Sequence, residues 1–203
     1  MVIRRRHARF LGFARNDVLF GATTSKTMTL DELNNLPPAA RAEELRKCCG
    51  ARAWVAGLNE VFPVADEDTL MDQANTVWNG LAEEDWKEAF THHPRIGGNV
   101  AALRAKFAST SAWAEGEQAG VRATSEEVLR ALAEGNTRYE QQFGYIFIVF
   151  ATGKTAEEML ALLEARLFNK PEAEIQLAAA EQNKITRIRL EKLLSQDPGG
   201  LGS

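Results

Sequence analysis

Apolar side chains recur at helical spacing along almost the whole chain after Met28, and that period predicts the elements. Thr29 with Glu32 reads as a capping box, and the short helix it opens stops before Pro37-Pro38. A second helix is predicted over 38–49 and is ended by Gly50. A third, over 51–61, puts Trp54, Leu58 and Val61 or Phe62 on one face. The fourth, 66–79, opens with acidic residues and carries Leu70, Ala74 and Val77 or Trp78 at helical spacing. A fifth, 81–92, carries Trp86, Ala89 and Phe90, and Pro94 ends it. After a loop at 95–99, Asn99 can cap a helix to about 107, and a short helix is expected at 111–119. A long helix follows over 124–144, boxed by Thr124 and Glu127 and stopped by Gly144. Thr155 and Glu158 box another over 155–169, and Pro171 suits the first turn of the last, which runs to about 195.

One run departs from this period. Tyr145 to Phe150 has strand-like composition, yet the chain offers no second run for it to pair with. It is either extended or buried helical backbone, and periodicity does not separate the two. The predicted fold is therefore all-α, a compact single-domain multi-helix bundle over 28–195, with a flexible tail at 196–203. The longest continuous apolar run, Ile146 to Ala151, is too short to cross a bilayer, so no membrane association is expected.

Composition adds little, since 45% apolar and 26% charged residues are ordinary for a globular domain. Charge distribution adds more. The first 27 residues hold Arg4, Arg5, Arg6, Arg9, Arg15 and Lys26 against Asp17 alone, a net of +5, so the remainder of a chain of net −4 carries −9. A body that acidic lacks the electrostatic footprint of nucleic-acid binding, and no nucleic-acid partner is expected. The basic start has neither a long apolar stretch nor a small-residue cleavage site of the secretory kind. It reads as a transit peptide or, preferably, as an extension upstream of the domain that begins at Met28. Cys48 and Cys49 are adjacent and build no disulfide framework, which fits a reducing compartment.

Three segments could carry chemistry. His92-His93-Pro94-Arg95-Ile96-Gly97-Gly98 sits at a helix C-terminus, where the macrodipole favours a protonated imidazole and glycines let backbone approach a small ligand. The plainer reading is a helix cap followed by a turn. In Glu115-Gly116-Glu117-Gln118-Ala119-Gly120, a carboxylate and a carboxamide side by side could clamp an amide- or urea-like group, although a solvated helix turn explains the same residues. In Lys184-Ile185-Thr186-Arg187-Ile188-Arg189-Leu190, Ile185, Ile188 and, beyond it, Leu193 are expected to face the core. Arg187 and Arg189 diverge on the helical wheel, so at most one faces inward, and Arg187 with Glu191 is the default exposed pair. Adjacent histidines on one helix diverge and chelate poorly, and no Cys/His/Asp cluster has ligand spacing, so no metal is expected.

These segments, in this order, resemble the 2-oxo-4-hydroxy-4-carboxy-5-ureidoimidazoline (OHCU) decarboxylase family over about 28–195. The shared elements are Cys-Cys-Gly with Trp54, His-Pro-Arg-Ile-Gly-Gly, Gly-Glu-Gln-Ala-Gly, and Asn136-x-x-Tyr139-x-x-x-Phe143-Gly144-Tyr145-x-Phe147-Ile148-Val149. Gly153-Lys154-Thr155, Arg166-Leu167-x-Asn169, Glu174 and the Lys-Ile-x-x-x-Arg-Leu helix complete the set. The resemblance implies a compact all-α fold, commonly a homodimer. It also implies decarboxylation of the ureidoimidazoline to S-allantoin in urate catabolism, with no cofactor. By it, His93 corresponds to the catalytic histidine, Pro94 to its substrate-contacting neighbour, and Glu117 and Gln118 to the pair gripping ring and ureido nitrogens. The backbone of Phe147, Ile148, Val149, Phe150 and Ala151 matches the segment that pairs with the heterocycle's amide edge, and Arg189 matches a pocket arginine. Ala114 stands where the family often has Ser. The chain does not end in Ser-Lys-Leu, which points to a bacterial cytoplasm. The competing readings are a non-catalytic helical binding module and, with less support, a metal-dependent hydrolase using His92 and His93. A fused hydrolase for the preceding step would need a β-rich second domain.

Overall fold

The computed structural model describes residues 27–95 and 126–194. Eight helices lie within them: α1 (Leu30–Asn35), α2 (Pro38–Cys48), α3 (Arg52–Glu60), α4 (Glu67–Asn79), α5 (Glu83–Thr91), α6 (Glu126–Phe143), α7 (Ala156–Arg166) and α8 (Pro171–Leu194). The helices expected at 99–107 and 111–119, and the cap at Thr124, lie outside the described residues.

Local chemistry sets the helix limits. Thr29 Oγ1 accepts from the N–H of Glu32 while Glu32 returns a bond to the N–H of Thr29. Thr155 and Glu158 repeat that exchange before α7. Asp66 caps α4 by accepting from the N–H of Thr69. Gly144, at φ +78°, takes the left-handed conformation that ends α6, and its N–H reaches the carbonyl of Glu140 at 2.9 Å. Arg41, buried on α2, donates to the carbonyls of Leu33, Asn34 and Leu36 and so closes the C-terminus of α1. The last turn expected for α7 is absent: the helix stops at Arg166, and Asn169 turns its side chain to Glu174.

One hydrophobic cluster joins all eight helices. Trp54, Leu58, Leu70, Ala74, Trp86, Ala89 and Phe90 are buried, as their spacing predicts. Three indole N–H groups stitch the joints. Trp54 donates to Ala74 O at 3.0 Å, Trp78 to Ala179 O at 3.0 Å, and Trp86 to Trp78 O at 3.1 Å. Each buried ring thus satisfies its polar edge on a neighbouring segment rather than burying it unmet. The longest helix, α8, packs on α2, α4 and α5 and is the spine of the domain.

Its inward face differs from expectation. Leu193 is buried as expected, but Ile185 and Ile188 are only half-buried, whereas Gln182, Thr186 and Leu190 are buried, one helical stripe from Ile175 and Ala178. Two polar residues therefore occupy positions where apolar ones were expected. Arg187 pairs with Glu191 at 3.0 Å on the exposed side, as expected. No strand occurs among the described residues, and Tyr145 to Phe150 lies in neither helix nor ladder. Among the described residues no helix is long and apolar enough to cross a membrane.

Candidate active site

Two helix ends and the middle of α8 meet at one place. His92 is the C-cap of α5, and the N–H of His93 bonds the carbonyl of Phe90 at 3.1 Å. Opposite, α2 ends at Cys48, followed by Cys49 and Gly50. A methyl group at Gly50 would lie 2.3 Å from the His92 ring, so this close approach needs glycine. From α8, Arg189 donates Nη1–H to the carbonyl of Cys48 at 3.2 Å, and its charge acts on His93. Gln182, fully buried, lies near His93 and donates Nε2–H to Thr186 Oγ1 at 3.1 Å.

Burial governs the ionisation here. The His93 imidazole is pushed down from 6.5 to about 4, first by burial and then by Arg189 and His92, which outweigh the opposing effect of Gln182. The helix end was expected to favour the charged ring, but desolvation and a neighbouring guanidinium win over that dipole. His93 is therefore a neutral base at pH 7. Burial likewise raises Cys48 to about 12 and Cys49 to about 11, so neither thiol is a nucleophile near neutrality. His92 turns its ring onto Gly50 while His93 lies near Gln182, so the adjacent imidazoles do not converge. Among the described residues no three His, Cys, Asp or Glu side chains cluster as a metal would need.

The non-helical segment from Tyr145 to Ala151 flanks the same stretch of α8. At its start the Tyr145 ring packs 5.3 Å from that of Phe90, one turn before His93. At its end the N–H of Phe150 donates to Glu181, next to Gln182, at 2.7 Å. Burial pulls the Glu181 carboxyl upward, but hydrogen bonds from Lys184 and Phe150 outweigh it and keep the group ionised. Lys154 donates to the carbonyl of Phe150 at 2.8 Å, and its own N–H reaches that of Ala151 at 3.1 Å. Beneath the segment lies a buried network. Arg166 donates to the carbonyl of Ile148 at 2.7 Å and to Glu174 Oε1 at 2.7 Å, Tyr139 O–H donates to Glu174, and Asn169 reaches Glu174 Oε2 at 2.7 Å. Thus Tyr139, Arg166, Asn169 and Glu174, far apart in sequence, form one support.

Of the expected site residues, His93 and Arg189 come together, and Phe147 to Ala151 run alongside. Pro94 is exposed just beyond His93, where Arg95 bonds Glu140 of α6 at 2.5 Å. Glu117 and Gln118, with Ala114, lie outside the described residues. Sequence reasoning missed Gln182 and Thr186. Their signal is visible in retrospect: two polar side chains at i and i+4 in an otherwise apolar stripe.

Helix end, half-buried neutral imidazole and guanidinium define a class: a small all-α domain with a cluster of polar side chains set against its last helix. The chain belongs to the OHCU decarboxylase family, whose profile matches residues 34–191. It is 34% identical over 154 residues to the uric acid degradation bifunctional protein TTL of Arabidopsis thaliana, covering 75% of this chain and 47% of that protein. To the uric acid degradation bifunctional protein PucL of Bacillus subtilis (strain 168) it is 24% identical over 169 residues, covering 83% of this chain and 33% of that protein. The chain therefore spans half or less of the length of these two relatives. A crystal structure of OHCU decarboxylase in the presence of (S)-allantoin matches with a TM-score of 0.60 at 34% identity, covering 76% of this chain and 99% of that one.

Proposed function

We propose that this chain decarboxylates 2-oxo-4-hydroxy-4-carboxy-5-ureidoimidazoline to S-allantoin, without a cofactor, as a step of urate breakdown in the cytoplasm. The observation that carries the reading is a half-buried, neutral His93 beside Arg189 in a member of this family. The unit responsible is residues 28–195, with 1–27 an extension.

The chemistry follows from the substrate. Breaking the bond from the ring carbon to the carboxylate releases CO2 and leaves an electron pair. The adjacent C=N and carbonyl groups of the substrate absorb that pair, so the protein need not supply an electron sink. Arg189 attracts the carboxylate and, once it does so, no longer opposes a charge on the imidazole. Neutral His93 takes the substrate hydroxyl proton and returns a proton to carbon on one face, which fixes the S configuration. Glu117 and Gln118 hold ring and ureido N–H groups, Pro94 packs on the ring, and the backbone of Phe147 to Ala151 pairs with the heterocycle's amide edge. The homodimer expected of the family fits the placement of the large exposed apolar side chains of the described residues, Leu162, Phe168 and Leu177, all on α7, α8 or the turn between them.

Urate oxidase and hydroxyisourate hydrolase generate the substrate in place, and circular dichroism follows the allantoin formed. Wild-type protein should produce one enantiomer faster than spontaneous decay, and His93→Gln should lose about 10²-fold or more of that excess rate. Formation of racemic product at the spontaneous rate would instead favour the binding-module reading.

A further inference from the structure

Between Ile148 and Lys154 the backbone is gripped by charged side chains of α7, α8 and the turn ahead of α7. Arg166 donates to the carbonyl of Ile148 at 2.7 Å. Glu181, in the middle of α8, accepts the N–H of Phe150 at 2.7 Å. Lys154 donates Nζ–H to the carbonyl of the same residue at 2.8 Å. Phe150 is thus held on both sides, by an anion at its N–H and a cation at its carbonyl. Both grips are themselves braced. A turn closed by the bond from Lys154 N–H to the Ala151 carbonyl, 3.1 Å long, folds the lysine back, and its Nζ also lies 5.6 Å over the Phe150 ring. The Glu181 side chain is only 12% exposed and is paired with Lys184 at 2.5 Å. Neutral partners could satisfy the same two groups, but bonds to charged ones are about twice as strong.

We propose that Glu181 and Lys154 are positioning residues, which clamp Phe150 so that the peptide groups on either side of it are aimed for the substrate's ring. Both peptides are trans, and a planar trans peptide points its N–H and its C=O in opposite directions. Holding Phe150 N–H on Glu181 therefore turns the Val149 carbonyl away from that carboxylate. Holding the Phe150 carbonyl on Lys154 likewise turns the Ala151 N–H away from the ammonium. With one bond on each side of its Cα, Phe150 has both backbone torsions fixed. The clamp so sets the directions of one acceptor and one donor, within the stretch that pairs with the heterocycle in the reading above. Glu181 and Lys154 act on substrate only through this backbone, and neither needs to touch it.

This inference rests on the decarboxylase reading for its purpose, but not for its first readout. Nitrogen-labelled full-length protein, without substrate, reports the Phe150 and Ala151 amides by proton–nitrogen NMR. In wild type the Phe150 amide proton, bonded to a carboxylate, should resonate at low field and exchange slowly. Glu181→Leu should move it upfield and speed its exchange about tenfold or more, and Lys154→Met should shift the Ala151 amide. Lys154→Arg and Glu181→Gln, which keep a donor and an acceptor, should stay close to wild type. In the coupled assay Glu181→Leu and Lys154→Met should each raise KM about three- to tenfold, the worth of one hydrogen bond, with kcat within about twofold. A clamp that served stability alone would lower the urea midpoint and leave KM where it was. Unchanged amide signals in the folded Leu and Met variants, or an unchanged KM, overturn the proposal. Shifted amides in a protein whose wild type shows no decarboxylase activity uphold the clamp and remove the functional reading instead.

Discussion

At the scale of single residues, His93 shows how far surroundings move a side chain from its reference behaviour. A helix C-terminus favours a charged imidazole. Burial and the Arg189 guanidinium push the other way, from 6.5 to about 4. Because the folded value lies below the unfolded one, the unfolded chain takes up this proton first as pH falls. The contribution to stability is full above about 6.5 and is lost between that value and about 4. The same displacement predicts a kinetic signature. The acid limb of kcat/KM reports the free enzyme, so it should lie near pH 4 to 5 rather than near 6.5. Initial rates corrected for spontaneous decay would show this, and a limb at the ordinary histidine position would mean that the free site is wetter than its burial implies. The histidine's candidacy was legible in the sequence, from a helix end followed by Pro94. Its neutrality was not, because the residues responsible come from α8, nearly a hundred positions away.

At the scale of elements, the non-helical run from Tyr145 to Ala151 is the part that pattern alone left open. It has no ladder to satisfy it, and its conformation is held by side chains from both neighbouring helices. The Arg166–Glu174 pair beneath it is almost wholly dry, with side-chain exposures of 7% and 0%. Removing one partner of such a pair strands a charge. Glu174→Ala should therefore cost about 3–5 kcal/mol in equilibrium urea unfolding, whereas Glu191→Ala, which breaks the exposed Arg187 pair, should cost no more than about 1 kcal/mol. Similar losses in the two variants would show that the buried network is not what holds the segment. The helix starts were readable because each capping signal is local, as at Thr29 and Thr155. The support of the segment was not: Tyr139, Arg166, Asn169 and Glu174 stand out as family-like positions, but no local pattern says that folding gathers them at one carboxylate.

At the scale of the whole molecule, α8 carries both the core and the chemistry, since one stripe holds Leu190 and Leu193 together with Gln182 and Thr186. The bundle itself was legible from period and caps. The rotation of α8 was not, because apolar Ile185 and Ile188 outbid two polar residues in any reading based on hydrophobicity. Phe168, 90% exposed at the turn after α7, is the largest apolar side chain left uncovered among the described residues. If it lies in the interface of a homodimer, sedimentation velocity should find a dimer that Phe168→Asp converts to monomer with the helical circular dichroism intact. A wild-type monomer at micromolar concentration would remove the dimer from the proposal. A last consequence comes from the bond between Met28 N–H and the carbonyl of Leu193, 2.9 Å long. The first and last described helices are clasped at their outer ends, so a short linker could join them into a ring. Such a ring could be reopened at the turn around Gly153, yielding a circular permutant in which α8 leads into α1 and the order of synthesis changes while the packing does not.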